Sequence, residues 1–179
     1  MKVSELHQHI LSGIQGVFGE SDMRVMKQEI EKLKPGQVYL EMGVDEGRSF
    51  TTAHHYAKPG VFVIGVDIHD VPPHEMSVGR GPWAETEGMI GIGKHGFFIH
   101  GDGDLLAEIW TKPIHLLFLD PHHDYESIKS ATLAWEPKMA KGGVILFHDY
   151  DHAETKQWLD EHYGDNKEQC NNKIIKVVV

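Results

Sequence analysis

At 179 residues, with 40% hydrophobic and 25% charged positions, the chain is long enough for one domain with a packed core and has the composition of an ordinary globular protein. Seventeen Lys and Arg against 27 Asp and Glu give a net charge of −10, with no clustering of the basic residues, which argues against a nucleic-acid partner. A single cysteine, Cys170, excludes an internal disulfide and a cysteine-built zinc site.

That cysteine usage suits the reducing cytoplasm. The first thirty residues carry no continuous apolar run, and nothing approaches the roughly 20 apolar residues of a membrane span, so neither export nor membrane insertion is expected. Histidine stands out with 14 scattered copies, which favours a metal or proton-handling role.

Two amphipathic helices are expected in residues 1–35. Leu6, Ile10, Ile14 and Val17 recur at helical spacing, and Met23, Met26, Ile30 and Leu33 do so again behind the capping candidates Ser21 and Asp22. After Pro35-Gly36 come short apolar runs ending in Gly or Asp: "VYLEMG", "VFVIGVD", "FFIHGD", "IHLLFLD", "GVILFHD" and "IIKVVV". Apolar residues run together there, as in strands buried on both faces. Helix-length segments lie between them, among them 124–139 with Ile128, Ala131, Trp135 and Met139 on one face. Such alternation predicts an α/β fold, a doubly wound and mostly parallel sheet with helices on both faces. One domain spanning 1–179 is expected: N-terminal helices (1–35), a core (37–150), and a C-terminal helix and strand (151–179).

The one irregular stretch, 69–96, is rich in Gly and Pro and reads either as a substrate loop or as a plain surface connection. Within it "GMIGIGKH" imitates a phosphate-binding loop, but His95 replaces the required hydroxyl and no strand precedes Gly88. "YESIK", with Tyr125 and Lys129, lacks the glycine pattern of a dehydrogenase. His54 and His55, adjacent on a helix, point about 100° apart and cannot easily share a metal.

In an open parallel sheet, ligands bind beyond the carboxyl ends of the strands, and here those ends are acidic. The first run ends in "LEMGVDEGRSF", where glycines let the backbone approach a ligand and the next helix presents unpaired N–H groups. The second ends at Asp67, 24 residues after Gly43, a distance that suits a carboxylate on ribose hydroxyls. The third ends in "HGDGD", with Asp102 able to accept from an adenine amino group. The fourth, "FLDPHHDYE", runs from a buried strand straight into Asp120, His122, His123 and Asp124.

The motifs "EMGVDEGRSF", "VIGVDIHD", "FIHGDGD", "LLFLDPHHDYESI" and "KGGVILFHDY", in this order over about residues 37–150, resemble class I S-adenosylmethionine-dependent methyltransferases. The similarity is greatest to the small metal-dependent O-methyltransferases of macrolide-sugar and catechol type. The resemblance implies that Glu41, Gly43, Gly47 and Ser49 surround the methionine part of the cofactor, Asp67 the ribose and Asp102 the adenine, with Ile68, Gly101 and Asp120 completing the cofactor contacts. It also implies a divalent cation, Mg²⁺ or Mn²⁺, on Asp120 and on His148 and Asp149, which stand 28 and 29 positions later, with His123 as proton acceptor.

Two departures from the family pattern matter. His148 stands where a carboxylate is usual, and imidazole is a softer ligand better suited to Mn²⁺, Fe²⁺ or Zn²⁺ than to Mg²⁺. Pro121 stands where Gly is common and restricts the turn. An alternative leaves Asp120 on the cofactor alone, with His148 and Asp149 hydrogen-bonding within the loops.

The expected function is O-methylation of a hydroxylated small molecule such as a sugar or catechol. A nicotinamide-dependent reductase and a non-catalytic nucleotide- or metal-binding protein are the competing readings. Finally, Ile174, Ile175, Val177, Val178 and Val179 would form an apolar sheet edge with no closing hairpin evident, from which a homo-oligomer is expected.

Overall fold

The computed structural model describes residues 3–14, 16–68 and 96–179. The 69–96 stretch, with its "GMIGIGKH", therefore lies outside the described residues except for Gly96. No helix among the described residues is long and apolar enough to cross a membrane.

Seven strands form one sheet: β1 (Val38–Met42), β2 (Phe62–Asp67), β3 (Gly96–His100), β4 (Ile114–Leu119), β5 (Met139–Phe147), β6 (Glu168–Gln169) and β7 (Ile175–Val178). Their order is β3-β2-β1-β4-β5-β7-β6. All pairings from β3 to β5 are parallel, and β7 runs antiparallel to both β5 and β6. All six expected apolar runs are strands. The reason is visible in β4, where Leu116 and Phe118 face one layer and Leu117 and Leu119 the other, all at most 1% exposed. β3 differs, being an edge strand with half-exposed residues.

The helices α1 (Val3–Gly13), α2 (Glu20–Ile30) and α3 (Arg48–Tyr56) cover one face, where Ile10, Ile14, Met23, Met26 and Ile30 pack on Tyr39, Val63 and Phe118. The helices α4 (Gly103–Ile109), α5 (Tyr125–Trp135) and α6 (Ala153–Tyr163) cover the other, packing Ile128, Trp135, Trp158 and Leu159 against Leu40, Leu117 and Phe147. This is the expected doubly wound α/β architecture with N-terminal helices.

Several details differ from expectation. α2 begins at Glu20, and its N-cap is Gly19, whose N–H donates to the Asp22 carboxylate at 2.8 Å; Asp22 sits in the first turn and reaches back, so Ser21 and Asp22 are not the capping positions. Ile10 and Ile14 are buried but Val17 is 69% exposed, because α1 ends at Gly13 and its periodicity with it; the Leu6 side chain is not among those described. α5 stops at Trp135, where Pro137 enters a 3-10 turn, and Met139 already opens β5. Asp124 does cap α5, accepting from Ser127 N–H at 3.0 Å.

The sheet edge is also closed. β7 bonds to β5 along Val144–Phe147 and β6 pairs with Lys176 and Ile175, forming a short hairpin that two residues of weak strand character concealed. Ile174, Ile175 and Val177 are at most 4% exposed; only Val178 and Val179 face outward. Three of the five residues of the apolar edge that suggested self-association are thus core. Accordingly, Ile174→Ala should cost about 2–5 kcal/mol in denaturant unfolding, whereas Val178→Lys should stay within about 0.5 kcal/mol. Equal effects would mean that β7 is not packed as described.

Candidate active site

Progression from β1 to β2 and β3 runs outward in one direction, and β4 and β5 run in the other, so the β1/β4 boundary is the switch point where a crevice opens. The strand ends there are held in step. One residue beyond each strand the ladder continues: Gly101 N–H donates to Asp67 C=O (2.9 Å), Gly43 to Val66 (3.0 Å), Asp120 to Met42 (2.9 Å) and His148 to Leu119 (3.0 Å). Gly43 has φ +81°, and a Cβ there would lie 1.9 Å from the Asp120 carbonyl oxygen, so only glycine permits this approach.

Above these ends lies a cleft of about 630 Å³, the size of a small-molecule site. Of the residues singled out from sequence, Gly43, Asp67, Ile68, Gly101, Asp102, Asp120, His123 and Asp149 line it. Asp45, Asp104 and Glu126 add further carboxylates, and among the described lining residues no Lys or Arg appears. Asp45 (φ 47°) and Asp149 (φ 52°) are the non-glycine residues with positive φ among those described, and both face the cleft. Such strained backbone costs about 1–3 kcal/mol per residue and marks functional positions.

Two of the lining carboxylates already hold backbone. Asp67 Oδ2 accepts from Val44 N–H (2.7 Å) and Asp45 N–H (2.9 Å), fixing the β1–α3 loop. Asp102 caps α4 by accepting from Asp104 and Leu105 N–H at 2.8 and 3.2 Å. Glu41, Gly47 and Ser49 stand behind the wall. Gly47 starts α3 in a left-handed conformation, and the Glu41 carboxyl, fully buried, accepts from Tyr39 Oη at 2.5 Å and from Ser49 Oγ. Burial pushes the Glu41 pKa up to about 8 against those two hydroxyl donors, with the charges of Asp120 and Asp67 adding to the rise.

The fourth and fifth strand ends bring acids and imidazoles together. His148 is fully buried between Phe18 and Phe118, with ring centroids 5.7 and 5.8 Å away. Its Nδ1 lies 3.1 Å from Asp149 Oδ2 and 3.4 Å from Asp120 Oδ2, and its Nε2 lies 3.7 Å from Asp22 Oδ2. These contacts are within ion-pair range but unaligned: both His148 nitrogens and Asp149 Oδ2 are buried without a hydrogen bond. Burial would lower the His148 pKa, yet Asp120, Asp149 and Asp22 outweigh it and hold the imidazole up to about 12. Burial raises Asp120, with Asp149 adding, whereas His148, His123 and Lys173 overcome burial to hold Asp149 below the usual carboxylate range.

His123 Nδ1 lies 3.2 Å from Asp149 Oδ2, and His123 is 43% exposed on the cleft side. Asp120, His123 and Asp149 each offer a ligand atom within 4.8 Å of the others. His122 also lines the cleft, while His54 and His55 lie on α3, away from it.

Residues 40–150 match the family profile described as a methyltransferase domain. The chain belongs to the methyltransferase-domain family. Among solved structures, CalS11, a TDP-rhamnose 3'-O-methyltransferase of calicheamicin biosynthesis, is 17% identical, with a TM-score of 0.63 covering 96% of this chain and 78% of its own. The O-methyltransferase NovP is 17% identical (TM-score 0.67; 89% and 80% covered), and an O-methyltransferase from Bacillus cereus in complex with SAH is 12% identical (0.67; 99% and 90%). No curated protein matches the sequence. At such identities these likenesses are of fold, and the fold is that of class I S-adenosylmethionine-dependent methyltransferases.

Within this methyltransferase domain, sequence reasoning missed Asp22, Val17 and Asp45. Val17 lines the cleft, and Asp22 reaches His148 from a helix on the opposite end of the chain. An exposed apolar residue just after a helix, and an acid inside a first turn, look ordinary in sequence.

The buried Glu41 generates a pH dependence. Its folded pKa is raised, so between about 4.5 and 8 the folded state holds a proton that the unfolded chain has lost. Stability contributed by that proton is complete below 4.5 and falls as pH rises through 8, with a slope approaching about 1.4 kcal/mol per unit. Glu41→Gln should therefore gain stability relative to the parent as pH rises across that window in denaturant titrations. A constant difference between the two proteins at all pH values would refute the assignment.

Proposed function

We propose that this methyltransferase domain transfers a methyl group from S-adenosylmethionine to a hydroxyl of a small molecule, a sugar, catechol or similar metabolite, with the help of a divalent cation. The observation that carries the reading is the carboxylate-rich cleft at the switch point, where Asp45, Asp67, Asp102, Asp104, Asp120, Glu126 and Asp149 line one space. Seven carboxylates, with no Lys or Arg among the described lining residues, favour a ligand bearing a sulfonium and an ammonium group over the pyrophosphate of a nicotinamide nucleotide. S-adenosylmethionine supplies, when bound, a methyl group on a positively charged sulfur. Gly43 lets the ligand approach the backbone, Asp67 and Ile68 form the wall suited to the ribose, and Gly101 and Asp102 that suited to adenine. Glu41, Gly47 and Ser49 act from behind, by holding the loop that carries Gly43 and Asp45.

The donor set fits a cation. Asp149 Oδ2 and His148 Nδ1 are buried yet lack hydrogen bonds, and the distances from His148 Nδ1 to Asp149 Oδ2 (3.1 Å) and to Asp120 Oδ2 (3.4 Å) match neighbouring ligands whose bonds to a common ion are about 2.0–2.6 Å. Asp120, His148 and Asp149 would hold Mg²⁺ or Mn²⁺, which acidifies a hydroxyl it touches.

His123 is the base. Its Nδ1 faces Asp149 Oδ2 at an ion-pair distance of 3.2 Å, so that carboxylate would stabilise the imidazolium formed when Nε2 accepts the hydroxyl proton. The cleft would hold donor and acceptor together, the methyl C–O bond forming as the C–S bond breaks and S-adenosylhomocysteine leaves.

Chelator should abolish turnover on a diol panel, and added Mg²⁺ or Mn²⁺ should restore it, while S-adenosylmethionine binding by calorimetry survives. Full turnover in chelator would remove the cation from the mechanism. His123→Ala should lower kcat by roughly 10²–10⁴-fold. Because His123 is assigned as base and not as ligand, Mn²⁺ affinity should stay within a few-fold of the parent. A matching collapse of Mn²⁺ affinity would make it a ligand instead, the role its distance from Asp120 and Asp149 also allows.

A further inference from the structure

Asp22 belongs to no strand end, yet it is the one acid that reaches the cation site from the N-terminal helices. Its side chain is 3% exposed, and both its oxygens are fixed. Oδ2 accepts from Gly19 N–H at 2.8 Å, and Oδ1 accepts from Asn171 Nδ2 at 2.8 Å and from Ser21 Oγ at 3.4 Å. Asn171 is itself anchored, its Oδ1 accepting from Lys173 and Ile174 N–H at 2.8 and 2.7 Å. A capping role for α2 requires only the bond from Gly19. The remaining contact, 3.7 Å from Oδ2 to His148 Nε2, serves no helix.

Asp120 and Asp149 face His148 Nδ1, and Asp22 is the acid on the Nε2 side. The His148 ring is wedged between Phe18 and Phe118, which fix its plane but cannot distinguish Nδ1 from Nε2. A carboxylate behind one ring nitrogen retains the proton there, frees the lone pair of the other, and makes that nitrogen a stronger donor to a metal.

We propose that Asp22 is a positioning residue for the cation site: its carboxylate, 3.7 Å from His148 Nε2, provides the negative charge behind the ring that favours the proton on Nε2 and Nδ1 beside Asp120 and Asp149 as a ligand. Its carboxylate gives the imidazole some of the negative character that a directly ligating carboxylate would have. The N-terminal helix and the Asn171 turn near the C-terminus thereby support the same ion. This rests on the cation reading above.

The test is a titration of Mn²⁺ into the parent, Asp22→Asn, His148→Glu and the double variant, followed by calorimetry, with thermal melts to confirm folding. Asp22→Asn should weaken Mn²⁺ binding about 10–100-fold, the usual effect of losing a carboxylate behind a ligating histidine. In the His148→Glu background the same change should cost nothing, since no imidazole remains to be held. An Asp22→Asn protein that binds Mn²⁺ like the parent overturns the proposal, as does an equal loss in both backgrounds, which would mark Asp22 as merely a helix cap. A parent that binds no Mn²⁺ overturns the cation reading together with this one, whereas a binding parent with an indifferent Asp22→Asn overturns only this one. Should Asp22→Asn fail to fold, Asn171→Leu decides: it keeps the carboxylate but frees one oxygen, and should weaken Mn²⁺ several-fold, unchanged affinity again overturning the assignment.

Discussion

The close approach of Gly43 to the carbonyl of Asp120 is the contact on which the carboxyl edge of the sheet depends. No side chain fits at residue 43, whose Cβ would meet that oxygen at 1.9 Å. With glycine there, β1 and β4 stay in register one residue past their formal ends, and the Asp120 N–H finds Met42 C=O. The same extension recurs between β2 and β3 and between β4 and β5, so Gly101, Gly43, Asp120 and His148 stand in a row at successive strand ends. Backbone hydrogen bonds, not side-chain packing, therefore set the spacing of the residues that line or support the cleft. Such placement is rigid, because each bond is part of a buried ladder.

Crowding carboxylates at one edge has an electrostatic cost, and the structure distributes it unevenly. Glu41, behind the wall, is driven toward its neutral form by burial. Asp120 is also pushed up, whereas Asp149 is held down by His148, His123 and Lys173. His148 is the counter-charge that lets Asp22, Asp120 and Asp149 share a small volume. In the proposed cation complex the ion would take the place of that proton, so that one imidazole would be charge balance without the ion and ligand with it. Asp149 adds a strained backbone to this arrangement, consistent with a position kept for chemistry and not for stability.

The strands and their order of acids were legible in the sequence because buried parallel strands read as continuous apolar runs, and Gly or Asp marks where each leaves the sheet. Gly43, Asp67, Asp102, Asp120 and His123 all reach the cleft for that reason. Legibility fell where a role depends on distant contacts. The pairing of β6 with β7 rests on backbone bonds at Glu168 and Gln169, whose side chains are exposed and carry no pattern. Gly47 and Ser49 belong to the motif but serve the loop behind the wall, since α3 turns them away from the cleft. Val17 and Asp22 carry no local signal, because what they face is distant in sequence: Val17 shares the cleft with residues from β1 onward, and Asp22 faces His148, more than a hundred positions away.

Those two residues show why the N-terminal helices belong to the site and not merely to the core. The Arg48 guanidinium, at the start of α3, donates to the carbonyl of Leu11 in the last turn of α1 and to those of Ile14 and Gly16 just beyond it. One side chain thus satisfies the end of α1 and fixes the segment that follows. That segment places Val17 at the cleft, sets Phe18 against both His148 and Phe118, and leads through Gly19 into the turn that holds Asp22. Arg48 itself follows Gly47, whose left-handed backbone starts α3 directly after the β1 loop. The loop that lets a ligand approach the backbone and the segment that steadies His148 are therefore coupled through adjacent residues. A change that loosens the one alters the support of the other.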